Sequence, residues 1–163
     1  MKSTRVGSWF ALCIAMLVAL PAAAADKAIN LSLFTPVSLA KADDAVTAFR
    51  LNLIYGRNTS VRIFDLGIIN HTTTGMSKGL EWGTVNYSEG EFSGLQLAAV
   101  NINKGTAKGF QFAAINYTAT AGGLQLAFVN YAQKLQGLQV GAINIIKEGG
   151  FLPVMIIANW SKK

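Results

Sequence analysis

Cysteine is almost missing from this chain: Cys13 is the one copy in 163 residues. It sits in an apolar N-terminal run, so the rest of the chain has neither a disulfide nor a thiolate metal site. Leu12, bulkier than the small residue expected before a lipidated cysteine, also argues against a lipoprotein signal. Histidine is equally scarce. His71 follows Asn70 in a Thr-rich stretch, Thr72–Thr74, and a metal site would have to combine it with carboxylates alone. A solvated linker histidine is the expectation. Charged residues make up 13% of the chain, and no run of one sign marks a nucleic-acid or lipid-headgroup patch. There is no phosphate loop, nucleophile elbow or zinc-protease helix. The adjacent carboxylates Asp43 and Asp44 point apart, as sequence neighbours usually do, and read as a solvated turn. The sequence therefore assigns no catalytic, cofactor-binding or metal residue, predicts no cofactor, and predicts a non-enzymatic protein.

The N-terminus carries an address. Lys2 and Arg5 precede a largely apolar stretch from Val6 to Leu20, and Pro21 with Ala22–Ala25 offers an Ala-x-Ala cleavage site. This is the pattern of a secretory signal peptide over residues 1–25, too short to favour a spanning helix. Cleavage before Asp26 leaves a chain long enough for one domain. It also lowers the formal net charge from +6 by the two positive charges of Lys2 and Arg5. Residues 26–45 read as irregular, with a short strand between Ile29 and Phe34 interrupted by Pro36, then a polar turn at Lys41–Asp44.

Residues 46–163 are built from one unit. Gly94-Leu-Gln-Leu-Ala-Ala-Val-Asn101 is followed by Gly109-Phe-Gln-Phe-Ala-Ala-Ile-Asn116. Gly123-Leu-Gln-Leu-Ala-Phe-Val-Asn130 and Gly137-Leu-Gln-Val-Gly-Ala-Ile-Asn144 continue the series. Degenerate copies begin at Ala48, Ile63 and Gly79, and the stretch Gly150–Trp160 is an atypical terminal unit, as capping repeats are. The second and fourth positions are large and apolar, the fifth becomes small, and the seventh is β-branched in every copy (Ile54, Ile69, Val85, Val100, Ile115, Val129, Ile143). These are strand residues. Positions two and four share one strand face and position seven falls on the other, so the apolar parity switches within the unit. Either a bend at the small fifth residue causes the switch, or both faces are buried.

Two architectures accommodate the repeat. An eight-stranded antiparallel outer-membrane β-barrel is the alternative, because the charges gather in the linkers and units four to seven carry none. Equivalence of the copies favours a β-solenoid of about seven to eight coils of 14–16 residues. Successive barrel strands run in opposite directions, whereas parallel stacking places every copy identically. A solenoid stacks Asn70, Asn86, Asn101, Asn116, Asn130 and Asn144 into a ladder at a corner. Gln96, Gln111, Gln125 and Gln139 form a second ladder, continued upstream by Glu81, Asp65 and Arg50. It makes Arg50 and Asp65 an ion pair on adjacent parallel strands, worth about 0–1 kcal/mol if water-facing. Leu97, Phe112 and Leu126 are expected to form a stacked interior column, with Leu126→Ala costing roughly 2–5 kcal/mol. The aromatics after the Asn (Tyr87, Tyr117, Tyr131, Trp160) are expected to pack between coils, the other readings being a binding stripe or, in a barrel, an interfacial girdle. Triplets such as Asn86-Tyr-Ser88 and Asn116-Tyr-Thr118 follow from Asn being a repeat position and imply no glycan.

The Gly-Leu-Gln-x-Gly/Ala-x-x-Asn units and the closing Gly-Phe-Leu-Pro run, over about residues 46–160, resemble an uncharacterised family of exported bacterial surface-repeat proteins. Arg50, Asp65 and Glu81 depart from the family's Gln position. The resemblance implies export and repeat architecture, with no activity to transfer. The expected function is an exported surface or periplasmic binding or scaffold module. Its partner is unknown, with the outer membrane or another cell-envelope component as candidates and nucleic acid excluded. A barrel would instead serve as a pore or membrane anchor.

Overall fold

The computed structural model describes residues 26–162. The leader, its cleavage site and Cys13 lie outside the described residues. Those residues form eleven strands: β1 (Asp26–Phe34), β2 (Val37–Ser38), β3 (Ala45–Asn58), β4 (Arg62–Thr72), β5 (Met76–Trp82), β6 (Val85–Ser88), β7 (Glu91–Leu97), β8 (Val100–Phe112), β9 (Ile115–Leu126), β10 (Val129–Glu148) and β11 (Val154–Trp160). From β1 against β3 to β9 against β10, neighbouring coils pair in parallel. Each residue lies beside its counterpart in the next unit. The protein is a β-solenoid of about eight turns. The barrel alternative is overturned: Arg50 lies beside Asp65 on parallel strands, as the solenoid requires.

The small fifth position explains how a strand residue pattern becomes a coil. The backbone bends at Gly83–Thr84, Ala98–Ala99, Ala113–Ala114 and Ala127–Phe128, between successive strands. Positions six and seven then both face outward, as in the exposed pair Ala114 and Ile115. This is the bend that accounts for the parity switch. Crowding decides the residue type: a Cβ at Gly141 would run into the carbonyl oxygen of Ala127 one coil earlier. The first position has a different demand. Gly109 has φ of 112°, a region that L side chains rarely adopt, and its missing Cβ would collide with the carbonyl oxygen of Gly94.

The interior inverts the usual distribution of polarity. Its buried side chains are chiefly Asn, Gln, Ser and Thr, with Arg50, Asp65 and Glu81 at one end. Apolar burial is limited to a few residues: Ala121, Ala132, Leu135 and Ile146 form one cluster and Ala40, Val46 and Val61 another, with Phe92 and a few alanines besides. Leu97, Phe112 and Leu126 do stack in register, but on the outside. Phe112 is exposed and the other two are half-buried. The interior assignment of that column is therefore corrected. The reason is steric and electrostatic together: the bend turns the third and eighth residues into a narrow lumen, where each amide column bonds along the stack to its own copies.

Both ends depart from expectation. Residues 26–45, read as irregular, contribute β1, which pairs in parallel with β3 starting at Asp26. Asp44, expected in a solvated turn, is buried, with its Oδ2 accepting from the Lys41 amide. The terminal unit turns back: β11 runs antiparallel to β10, Leu138 facing Trp160 and Ile145 facing Val154. An antiparallel lid ends the stack because the longer Gly150–Asn159 spacing and Pro153 break the coil's period. In the first copy the register shifts by one residue after Asn52, so Gly56, not Tyr55, lies beside Asn70. The Asn52 side chain occupies the ladder slot itself, and Gly56 leaves room for it. Among the described residues no helix is long and apolar enough to cross a membrane.

Candidate functional site

Two constructions are candidates for function: a sealed polar lumen and an apolar outer surface. The Asn ladder is the better defined part of the lumen. Asn70 donates to Asn86, Asn86 to Asn101, Asn101 to Asn116, Asn116 to Asn130 and Asn130 to Asn144, at 2.9–3.0 Å. The same Nδ2 groups also reach the carbonyls at the bend of the following coil, from Asn70 to Trp82 and from Asn130 to Val140. Asparagine fits because one amide supplies an acceptor to the coil before and two donors to the coil after. The ladder lines the inner side of the corner and is fully buried, which also removes Asn86 and Asn116 from any glycosylating enzyme.

The second ladder runs through Gln139, Gln125, Gln111 and Gln96, each Nε2 donating to the preceding Oε1 at 2.8 Å. It is buried, not water-facing. Position ten, which sequence reasoning passed over, completes it. Asn103 exchanges hydrogen bonds with Gln96, and Thr118 bonds Gln111 and Gln125. The missed signal was parity: position ten lies two residues after the Asn and so shares its inward face.

Charge enters this column at its N-terminal end. Gln96 donates to Glu81 Oε2 at 2.6 Å, and Glu81 lies in register with Asp65. Arg50 grips Asp65 with two hydrogen bonds, Nε to Oδ1 at 2.7 Å and Nη2 to Oδ2 at 2.6 Å. Its Nη1 donates to Asn58 and to the His71 carbonyl. Burial pushes the Asp65 carboxyl up, against the pull of Arg50. Burial first, and then the Asp65 charge, push Glu81 up to about 8, while Gln96 and Arg50 act in the opposite sense. Glu81 is thus largely neutral at pH 7. Its Oε1 has no partner among protein atoms.

His71 is not a solvated linker residue. It lies in β4, half-buried, with Nδ1 2.7 Å from the Tyr55 hydroxyl and Nε2 2.8 Å from Glu89 Oε1. A carboxylate only accepts, so Nε2 carries a proton and, in the neutral ring, Tyr55 O–H donates to Nδ1. The imidazole edge also meets the Tyr87 ring at 4.8 Å. The group clamps three successive coils. No cluster of His, Cys, Asp or Glu suited to a metal ion occurs among the described residues.

Outside, the second, fourth, sixth and seventh positions form apolar columns along the solenoid. Phe128 is 73% exposed and Trp82 60%. A recess of about 310 Å³ is lined by Phe112, Ala113, Leu126, Ala127, Phe128 and Ala142. A second, of about 340 Å³, lies among Leu31, Leu33, Val37, Leu39, Leu51 and Leu53 at the N-terminal end. The expected aromatic column forms on the outer face: Tyr117 and Tyr131 stack at 4.9 Å with planes 2° apart, and Lys104 Nζ sits 5.1 Å from the Tyr117 ring. Trp160 stacks on Phe151 in the terminal lid instead.

The fold and this site define a class: an all-β solenoid with an amide-bonded lumen and an apolar exterior. Compared with protein-family models, curated proteins and solved structures, the chain matches none.

Proposed function

We propose that this is an exported surface or periplasmic repeat protein acting as a non-catalytic binding or scaffold module. One observation carries the reading: the large apolar side chains lie outside while the polar ones fill the lumen. Contiguous exposed apolar surface on this scale is a feature of interaction sites. The stacked coils supply a rigid support for it, since each is bonded to its neighbours through backbone and amide ladders alike. The signal-peptide pattern and the resemblance to exported surface-repeat proteins supply the location. Site-directed photo-crosslinking from position 128 in cells tests the reading. An adduct with a cell-envelope component, formed by exported protein, is the expected result. Protein retained in the cytoplasm, or exported protein that gives no adduct, would refute it.

A further inference from the structure

We infer that the apolar ridge docks onto an anionic lipid bilayer, with the solenoid lying on the membrane surface. The inference rests on the binding-module reading and names the partner. Three observations carry it.

The first is shape. The apolar columns occupy two strand faces that meet at the bend, so the surface is convex. The exposed Phe112 and Trp82 stand before the bend, Phe128 stands on it, and Ile115 follows it. A flat partner, or a second copy presenting the same ridge, covers one face and leaves the other in water. A fluid apolar layer wraps both.

The second is charge. Alternation along β8 puts Phe112, Phe110 and Lys108 on one outer face, and Val100, Ile102 and Lys104 on the other. On β10 the sequence Ile143, Ile145, Lys147 repeats the second face. The border of the first face remote from the ridge carries Arg62, Lys78 and Lys108, and that of the second carries Lys104 and Lys147 against the one acid Glu89. Between Arg57 and Glu148 the ionic side chains outside the lumen are seven basic and three acidic. Positions two, four, six and seven hold no charged residue in any unit. The primary sequence shows no basic run; coil stacking gathers these cations along the two borders, with neutral residues between them.

The third is depth. Four residues of strand separate Phe112 from Lys108, roughly 13 Å. An interfacial element sinks about 5–10 Å into the boundary between headgroups and acyl chains. Ridge side chains then reach the acyl boundary while the lysine ammonium groups lie at headgroup level, their stems along apolar surface. Tyr117 and Tyr131 stand between the ridge and the second border, at the level where amphipathic rings prefer to lie.

Vesicle flotation tests the proposal. The chain should float with phosphatidylglycerol–phosphatidylcholine vesicles, less with phosphatidylcholine alone, and less as salt rises. Phe128→Ser removes a side chain that contacts little protein, so circular dichroism should not change. Its partition onto vesicles should fall about tenfold or more. Lys104→Gln and Lys108→Gln should each lower partition onto the anionic vesicles roughly fivefold. In a chain carrying Trp9→Phe and Trp160→Phe, Trp82 emission should shift to the blue and be quenched by brominated acyl chains. This readout reports the ridge whatever the N-terminus does. Flotation unaffected by Phe128→Ser, Trp82 unquenched, or Trp82 shielded in a lipid-free dimer would each overturn the proposal. A photo-adduct from position 128 to a protein alone would overturn it too, yet leave the binding-module reading standing.

Discussion

Replacing Glu81 by Gln should stabilise the protein at neutral pH, although it removes a buried, hydrogen-bonded side chain. Glu81 is fully buried and has its pKa raised from 4.5 to about 8. Below pH 4.5 the carboxyl is protonated folded and unfolded alike, and its contribution is complete. Between 4.5 and 8 the folded protein holds a proton that the unfolded chain has released, so stability falls by about 1.4 kcal/mol per pH unit. Across that window the loss is about 5 kcal/mol at most, and about 3 kcal/mol by pH 7. A glutamine carries no such linkage. Its oxygen can accept from Gln96 as Glu81 Oε2 does now, and its amide can donate toward Asp65, extending the ladder by one member. Glu81→Gln should therefore raise the unfolding free energy at pH 7 by about 1–3 kcal/mol and remove the Glu81 share of the fall between pH 5 and 8. Urea denaturation followed by circular dichroism from pH 5 to 9 measures both. A flat profile for the parent chain, or a variant less stable than the parent at pH 7, would refute the reasoning.

Leu126→Ala should behave as a half-exposed change, well below the 2–5 kcal/mol of a core truncation, whereas Leu135→Ala should show that full loss; paired urea titrations distinguish them. Asn116→Ala orphans the Asn101 donor and the Asn130 acceptor and should cost about 2–4 kcal/mol, more than the same change at Asn144, where the ladder ends. Ile63 takes the glycine column's first slot with φ of 76°, so Ile63→Gly should raise stability by about 1 kcal/mol in thermal melts. Intact-mass measurement of exported protein should show a chain beginning at Asp26 and lacking Cys13.

By itself the sequence determined the periodicity and the strand character, and equivalence of the copies favoured a parallel stack. The antiparallel barrel fell only when the structure showed neighbouring coils running in parallel. It also pointed to the ladders, because a residue recurring every 14–16 positions meets its own copy one coil away once the coils stack in parallel. The Arg50–Asp65 pair was legible for that reason, fifteen residues apart yet neighbours. Which side was inside was decided only by the tertiary structure. A strand alternates between two faces, and apolar content names the buried one only when a sizeable apolar core is available. Here the bend at the fifth residue leaves a narrow lumen in which stacked amides bond one another from coil to coil, so Gln and Asn go in and Leu97, Phe112 and Leu126 stay out. His71 could not be placed from its neighbours either, since Tyr55 and Glu89 reach it from adjacent coils. Nor could the basic borders be seen, for Arg62 and Lys78 are sixteen residues apart in sequence and become neighbours only when the coils stack.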